Sequence, residues 1–376
     1  MKNNNFIPLA VPDIRGNVKK PLLKIINDNW VSTAGKEIDI FEKNIAKIAQ
    51  SKYALATITG SAALHLALKT LGIGNNDKVL VPDLTFAATI NAVILSGAIP
   101  IIIDINNYNW TLDLKLTEIA IKLHKPKAII VVHTLGNPAE LTELVFLCKK
   151  YKVLLIEDAA GAIGSSYKNK SIGSFGQAGI YSFNGNKIIT TGGGGALIFN
   201  SKKMFLKAKV LYSQARIGVE YNYNDVGYNY RMPNLNAVLG LAQLKYLPEM
   251  IEDKRKIASI YDKAFYGKND ISLMPRLKEG ESSCWLYSIQ TASKKDSLCL
   301  IKYLSENNIQ ARLFWNALSL QTPYKKYIKH LNGVSHRLSG TIISIPCSSS
   351  LKEEDQMKVI KLIMNWKGTE INDSYI

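Results

Sequence analysis

Short apolar runs alternate with longer segments of helical periodicity through the first half of the chain. The apolar runs have the length of buried strands and cover residues 53–57, 79–82, 101–103, 128–132 and 154–156. Between them, apolar residues recur every three or four positions, which is the spacing of a helix with one buried face. Buried strands that alternate with helices of this kind indicate βαβ units and a mostly parallel sheet. The pattern therefore predicts an α/β fold.

The pattern changes from about residue 270. Apolar runs at 284–289, 311–315 and 341–345 are separated by polar stretches and one helical segment and are followed by a final helix, an order that predicts an α+β unit with an antiparallel sheet. We expect a large domain at 1–247, which includes the N-terminal segment, and a small C-terminal domain at 248–376.

Several polar residues follow the apolar strands directly. Asp104, His133 and Asp158 each come after such a strand, and a Gly60–Ser61 turn follows another. Because ligands of parallel sheets bind outside the carboxyl ends of the strands, these residues mark the expected binding edge. We interpret His133 as structural, since a single histidine with no partner in the sequence is more often so.

One lysine follows a short strand within Ser182–Phe183–Asn184–Gly185–Asn186–Lys187, just before a glycine run at 192–195. Upstream, Asp158 ends a buried strand, and one further strand separates the two residues. A lysine amine, a strand-end acid and a serine are the groups that pyridoxal phosphate (PLP) requires. The Lys187 amine would bond to the cofactor, and Asp158 would keep the ring nitrogen protonated. The glycine run does not open a helix, which argues against a dinucleotide-binding loop.

The segment Thr59–Gly60–Ser61–Ala62 opens a helix after the first strand. Free amides and the helix dipole at such a point favour a phosphate, although a simple N-cap is the alternative. We predict that Gly60, Ser61 and Ala62, together with Ser182 and Asn184, bind the cofactor phosphate and its surroundings.

The motifs Ile156–Glu157–Asp158–Ala159–Ala160 and Ser182 to Thr191 resemble those of the nucleotide-sugar aminotransferases of the DegT/DnrJ/StrS type. These are PLP enzymes of fold type I, and further matches extend over nearly all of the chain. The resemblance implies an aspartate aminotransferase-like large domain with a mostly parallel seven-stranded sheet. It also implies that Phe86 lies against the cofactor ring.

The resemblance further implies a homodimer with a shared active site. The segment Gly227–Tyr228–Asn229–Tyr230–Arg231 resembles one that reaches into the neighbouring subunit, where Asn229 would contact the phosphate of the partner's PLP. Tyr230 and Arg231 are candidate substrate-binding residues for the same reason. The turn that contains Ser32 and Thr33 borders the sugar in the family, although on its own it is typical of a helix-ending loop.

The N-terminal half, with Trp30 to Gly35, is most similar to members that aminate C4 of a UDP-linked 4-keto-6-deoxy-N-acetylhexosamine, with glutamate as the amino donor. Such enzymes supply legionaminic acid or bacillosamine-type surface glycans, including lipopolysaccharide. Gly161 departs from the family, which usually has Glu or Gln there, so that a contact to the cofactor is missing or supplied elsewhere. The alternatives are a PLP-dependent sugar dehydratase, in which His replaces the lysine, and a non-catalytic regulator of the same fold.

Composition narrows the class of protein. The net charge of +17 suits an anionic substrate, a nucleic acid or a membrane surface, but no dense basic tract interleaved with aromatic residues occurs. We expect no nucleic-acid partner and no membrane segment. The four cysteines lack metal-ligand spacing, so we expect reduced thiols and no metal. The start of the chain shows no signal-peptide pattern, which favours a cytoplasmic protein.

Overall fold

The computed structural model describes residues 6–368. Residues 1–5, which belong to the stretch without a signal-peptide pattern, and residues 369–376, the end of the predicted small domain, lie outside it. The strands in chain order are β1 (Tyr53–Thr57), β2 (Lys78–Pro82), β3 (Ile99–Ile103), β4 (Ala128–Val132), β5 (Leu154–Asp158), β6 (Ser166–Tyr167), β7 (Lys170–Ser171), β8 (Ala178–Ser182), β9 (Gly195–Phe199), β10 (Arg216–Ile217), β11 (Asn222–Tyr223), β12 (Ile271–Leu273), β13 (Gly280–Glu281), β14 (Tyr287–Thr291), β15 (Arg312–Leu313), β16 (Lys329–His330) and β17 (Ile342–Ile345).

Most of the helices follow the predicted periodic segments, whereas the five-residue helix at Val334–Leu338 was not predicted. In chain order they are α1 (Lys19–Asn27), α2 (Lys36–Ile48), α3 (Gly60–Thr70), α4 (Ala87–Leu95), α5 (Leu114–His124), α6 (Leu141–Tyr151), α7 (Lys202–Leu211), α8 (Asn234–Leu244), α9 (Leu247–Phe265), α10 (Lys294–Glu306), α11 (Val334–Leu338) and α12 (Glu353–Asn365). None of the helices within residues 6–368 has the length and apolar character needed to cross a bilayer.

The large sheet has the strand order β1-β9-β8-β5-β4-β2-β3-β16. Strand β9 runs antiparallel to both neighbours, and the other pairs are parallel, so the prediction of a mostly parallel sheet is confirmed. Seven strands come from the first 199 residues, as expected, and β16 is an eighth, two-residue strand from the second half of the chain. Two residues are too few to carry a periodic signal.

Both faces of this sheet are covered, which explains why its strands are apolar throughout. Leu80 and Ile129 pack into the core beneath α2, α5, α6 and α8, whereas their neighbours Val79 and Ile130 pack into a second core beneath α3, α4 and α7. All five residues of β4 are buried. The two cores hold the carboxyl ends of the strands rigidly at one edge.

The small sheet has the order β12-β14-β17-β15, and every pair is antiparallel, as predicted. Two predicted strands are shorter than expected. The strand expected from Cys284 begins at Tyr287, because Cys284 adopts a φ of +51° that interrupts extended backbone. The strand expected at 311–315 contains only Arg312–Leu313, and the side chains of the next two residues turn into a cavity.

Helix α4 begins at Ala87, so Asp83 lies in the loop between β2 and α4. The buried Asp83 carboxylate accepts hydrogen bonds from the hydroxyls of Ser319 and Ser335, which fixes the C-terminal half of the chain to the end of β2. At the other terminus, Ile7 forms a β-bridge with Ile309. The domain division at 247/248 stays a proposal, and the contacts of Asp83 and Ile7 link residues on its two sides.

Candidate active site

A cavity of about 410 Å³ lies at the carboxyl edge of the large sheet, between it and the small sheet. Its polar and aromatic lining residues include Thr59, Ser61, Phe86, His133, Asp158, Ser182, Asn184, Lys187, Trp285, Arg312, Phe314, Trp315 and Ser344, with Gly60 and Gly161 between them. Most of the predicted cofactor residues are therefore brought to one place.

Asp158 forms the floor of the cavity at the end of β5. Its side chain is buried, and it accepts hydrogen bonds from the Thr89 hydroxyl at 2.7 Å and the Ala160 amide at 3.2 Å. Burial raises the pKa of this carboxyl, and the bonds from Thr89 and Ala160, together with the charge of Lys187, oppose the rise. A cationic ring nitrogen beside Asp158 would favour the ionised carboxylate in the same way.

Lys187 projects from the loop after β8 into the same cavity. Burial lowers the pKa of its amine to about 7, and the charge of Asp158 opposes the shift. At neutral pH a large share of the amine is thus unprotonated and nucleophilic. The amine lies 3.3 Å from the centroid of the Trp285 ring.

The N-terminus of α3 faces the cavity and forms the candidate phosphate site. Thr59 is the N-cap, and its hydroxyl accepts the Ala62 amide at 3.0 Å. The amides of Gly60 and Ser61 lie in the first turn, where no helical carbonyl is available to them. Gly60 lies close to Ser182, because an added Cβ would come within 3.0 Å of the Ser182 Cβ. A hydroxyl and a helix N-terminus thus converge there.

Phe86 precedes α4, lines the cavity, and leaves 57% of its surface exposed, so that its face is available to a ligand. Trp315 stands 5.7 Å away between ring centroids. Trp285, Arg312, Phe314 and Trp315 all reach the cavity from the C-terminal half, and sequence reasoning missed them. The apolar stretch at 311–315 was visible, but only the fold shows where it leads.

His133, which we interpret as structural from the sequence, lines the cavity. Its Nδ1 accepts the Ala139 amide at 3.2 Å, which leaves the hydrogen on Nε2, and Nε2 donates to Glu157 at 3.2 Å. Glu157 also accepts the amides of Gly173, Phe175 and Gly176. This buried network fixes the end of β5 next to Asp158.

The segment that carries Asn229, Tyr230 and Arg231 runs along the outer edge of β1, where the Ile58 amide donates to the Tyr230 carbonyl at 2.8 Å. None of the three side chains lines the cavity within this chain. The Tyr230 hydroxyl bonds His65, Arg231 pairs with Asp39 at 3.5 Å, and Asn229 is exposed. Their predicted roles would require a second subunit and stay predictions.

Ser32 and Thr33 lie in a turn between α1 and α2, as predicted, and also outside the cavity. The Ser32 carbonyl accepts the Asn234 amide at 2.7 Å, which ties the turn to the start of α8. Ala62 is likewise outside the lining, and its amide is engaged by Thr59. The binding roles of these three residues also stay predictions.

Comparison with known proteins identifies the family to which the chain belongs. The sequence matches the DegT/DnrJ/EryC1/StrS aminotransferase family over residues 12–364. The chain belongs to this family. Its members are PLP-dependent sugar aminotransferases, so the chemistry inferred from Lys187 and Asp158 agrees with the family.

Three relatives of this DegT-family chain illustrate the range of activities. It is 35% identical over 373 residues to EpsN of Bacillus subtilis (strain 168), whose assigned activity is that of a PLP-dependent aminotransferase, with 96% of this chain and 95% of EpsN covered. It is 35% identical to GDP-perosamine synthase of Escherichia coli O157:H7, with 95% and 98% covered. It is 38% identical to the UDP-4-amino-4,6-dideoxy-N-acetyl-β-L-altrosamine transaminase of Campylobacter jejuni, with 71% and 72% covered.

Solved structures of the family show the same fold. A DegT/DnrJ/EryC1/StrS aminotransferase from Brucella abortus superposes with a TM-score of 0.87 at 28% identity, covering 92% of this chain and 94% of its own. The PLP form of the sugar aminotransferase Spr1654 from Streptococcus pneumoniae gives 0.89 at 25% identity, covering 95% and 97%.

The cavity of the DegT-family chain fits PLP. The α3 N-terminus and Ser182 supply donors for a phosphate, and the buried Asp158 carboxylate supplies an acceptor for a protonated ring nitrogen. Lys187 supplies an amine of lowered pKa, and the exposed face of Phe86 suits a flat heterocycle.

Proposed function

We propose that this chain transfers the amino group of glutamate to the C4 keto carbon of a nucleotide-linked 4-keto-6-deoxy sugar of the UDP-N-acetylhexosamine type, for bacterial surface glycan synthesis in the cytoplasm. The observation that carries the proposal is the convergence of Lys187 and Asp158 in one cavity with the N-terminus of α3. The family assignment supplies the reaction class.

Each polar group has a proposed task. The amides of Gly60 and Ser61 and the hydroxyl of Ser182 hold the cofactor phosphate, with Asn184 beside them. Bound PLP supplies an electron-withdrawing ring that weakens the C–H bond at the donor's α-carbon. Asp158 would keep the ring nitrogen of bound PLP protonated. The Lys187 amine removes the α-proton of the donor and returns a proton to the acceptor carbon in the second half-reaction.

Arg312 is the proposed anchor for the amino donor. Among the described lining residues it is the one permanently cationic side chain, since the pKa of the Lys187 amine is lowered to about 7, and no described carboxylate pairs with it. Its guanidinium fork matches a carboxylate in two hydrogen bonds. It enters from β15, whose partner strand β17 places Ser344 directly opposite. An anionic donor such as glutamate fits this cavity, because the Arg312 guanidinium can bind a carboxylate and the net charge of +17 attracts anions.

The proposed identity of the acceptor sugar is based on the relatives. The C. jejuni transaminase supports a UDP-linked amino sugar, and it is the basis for keeping that class first. The E. coli GDP-perosamine synthase covers more of this chain, so a GDP-linked 4-keto-6-deoxyhexose is the second candidate. Ser32, Thr33, Tyr230 and Arg231 are the proposed sugar-nucleotide contacts.

The proposed active unit is a homodimer. The loop around β10 and β11 exposes Val219 at 95%, Tyr221 at 76% and Val226 at 76% of their surfaces. Such an apolar, tyrosine-rich surface is typical of a protein interface. It precedes Asn229 directly, which supports delivery of that side chain to the partner's phosphate site.

The decisive test is incubation of the purified protein with glutamate and a panel of ketosugars, with mass spectrometry of the products. The panel contains UDP-4-keto-6-deoxy-N-acetylhexosamines and GDP-4-keto-6-deoxyhexoses. Amination of a UDP-linked member supports the first assignment, and amination of a GDP-linked member alone would replace it. Loss of a hydroxyl without nitrogen gain would indicate a dehydratase, and no product with any member would favour the regulatory alternative.

A further inference from the structure

Position 161 lacks a side chain, and an indole occupies its place. A Cβ added to Gly161 would lie 2.2 Å from Cε3 of Trp285, so any side chain there would overlap the ring. Gly161 does not adopt a positive φ, so backbone conformation does not require glycine at this point. Glycine is required at position 161 because the Trp285 ring approaches its backbone closely.

Trp285 is delivered to the cavity by a rigid kink. The Ser283 amide donates to the Ser165 hydroxyl at 2.9 Å, and the Ser282 hydroxyl donates to the Gly136 carbonyl at 3.0 Å. Both acceptors belong to the large-sheet half. Cys284 then turns the chain with its φ of +51°. Trp285 itself is only 5% exposed.

The indole contacts the reactive lysine in two ways. Its Nε1–H donates to the Asn186 carbonyl at 2.7 Å, which holds the backbone next to Lys187. Its face lies 3.3 Å from the Lys187 amine, the geometry of a cation–π contact. The charged and titratable groups that line the cavity with this amine are Asp158 and His133 from the sheet edge, with Glu157 behind His133, and Arg312 from β15.

We propose that Trp285 is the positioning residue of Lys187, and that Gly161 and Trp285 form a matched pair in which the ring replaces the missing side chain. The hydrogen bond fixes the Lys187 backbone, and the ring face holds the amine toward the cofactor site. The inference rests on Lys187 being the reactive amine of the proposed function. It needs neither the donor nor the sugar to be correct.

The test measures the pH dependence of Lys187 labelling by an amine-reactive anhydride in cofactor-free protein, with the labelled peptide quantified by mass spectrometry. W285L keeps an apolar neighbour but removes the ring face that favours the ammonium, so the labelling midpoint is expected to fall by about half to one pH unit. W285F keeps a ring face, so its midpoint is expected within about 0.2 pH units of the parent. W110F, a buried indole outside the cavity, is the control for general loss of packing.

A second variant, G161A, tests the proposal even if W285L does not fold. G161A pushes the ring away without removing it, so it is expected to lower the melting temperature and to shift the labelling midpoint downward. In the W285L background, the loss of melting temperature from G161A is expected to shrink by at least half, because the clash is gone. Equal midpoints in the parent, W285L and G161A, or a G161A loss that is unchanged in W285L, would overturn the proposal. A colourless, inactive protein that still shows these shifts would contradict only the proposed function.

Discussion

The two halves of the cavity are built differently. The large-sheet half supplies the groups that react or carry charge, namely Asp158 at the end of β5, Lys187 in the loop after β8 and the N-terminus of α3. The small-sheet half supplies Trp285, Trp315 and one guanidinium, from short strands and loops. The first half carries the sequence motifs, whereas the second is rich in aromatic side chains.

This difference suggests a division of labour. Groups fixed between two hydrophobic cores keep their geometry for one reaction class. Loops on a small sheet can change their side chains without disturbing the parallel sheet, so they are suited to select the donor and the sugar. Variants of Asp158 and Lys187 on the large-sheet side should therefore reduce the rate, and variants of Arg312 on the small-sheet side should change substrate affinity, whereas Trp285 acts through Lys187.

The largest expected effect is that of Lys187→Ala. Without the amine, the covalent bond to PLP and the proton transfer are both lost, and we expect turnover to fall by at least about a thousandfold. Borohydride reduction followed by peptide mass spectrometry should fix the cofactor to Lys187 in the parent and not in the variant. Circular dichroism serves as the folding control, and full activity in K187A would exclude the proposed mechanism.

Asp158→Asn tests the second group of the same half. Asn keeps an acceptor for the Thr89 hydroxyl but carries no charge to hold the proton on the ring nitrogen. We expect the rate constant kcat to fall about a hundredfold or more. The melting temperature should not fall, because burial already disfavours the charged carboxylate. An unchanged kcat would show that Asp158 does not face the ring.

Arg312→Gln tests the small-sheet half. Loss of a charge-assisted fork is expected to raise the KM for glutamate about ten- to a hundredfold, with little change in the KM for the sugar. R312K is the matched control, since it keeps the positive charge but not the guanidinium fork. Its KM for glutamate should lie between those of the parent and R312Q. An equal rise in both KM values, or a rise for the sugar alone, would show that Arg312 contacts the sugar nucleotide and is not specific for the donor.

The smallest expected effect concerns pH. The pKa of the Lys187 amine is lowered to about 7, so the unprotonated form gains as the pH rises through that value. Cofactor uptake by the cofactor-free protein, followed by visible absorbance, should be about tenfold slower at pH 6 than at pH 8 and level off above pH 8. A midpoint near the usual lysine pKa would contradict the burial of this amine.

The sequence by itself indicated a PLP site and a mostly parallel sheet, and its resemblance to a known family supplied the aminotransferase reaction. Fully apolar strands identify a sheet covered on both faces, and the residues at their ends identify its binding edge, as Asp158 and Lys187 illustrate. These signals are local, because a strand and the residue after it are adjacent in the chain. The family match agrees with that interpretation.

Only the tertiary structure decided what faces these groups. Trp285 and Arg312 reach the cavity because a kink at Cys284 and the pairing of β15 with β17 direct them there, and neither feature leaves a periodic signal. The absence of a side chain at Gly161 was visible, but its complement Trp285 lies 124 positions further along the chain, just before strand β14 of the small sheet. Contacts between distant segments depend on how the two sheets pack together, which local patterns do not record.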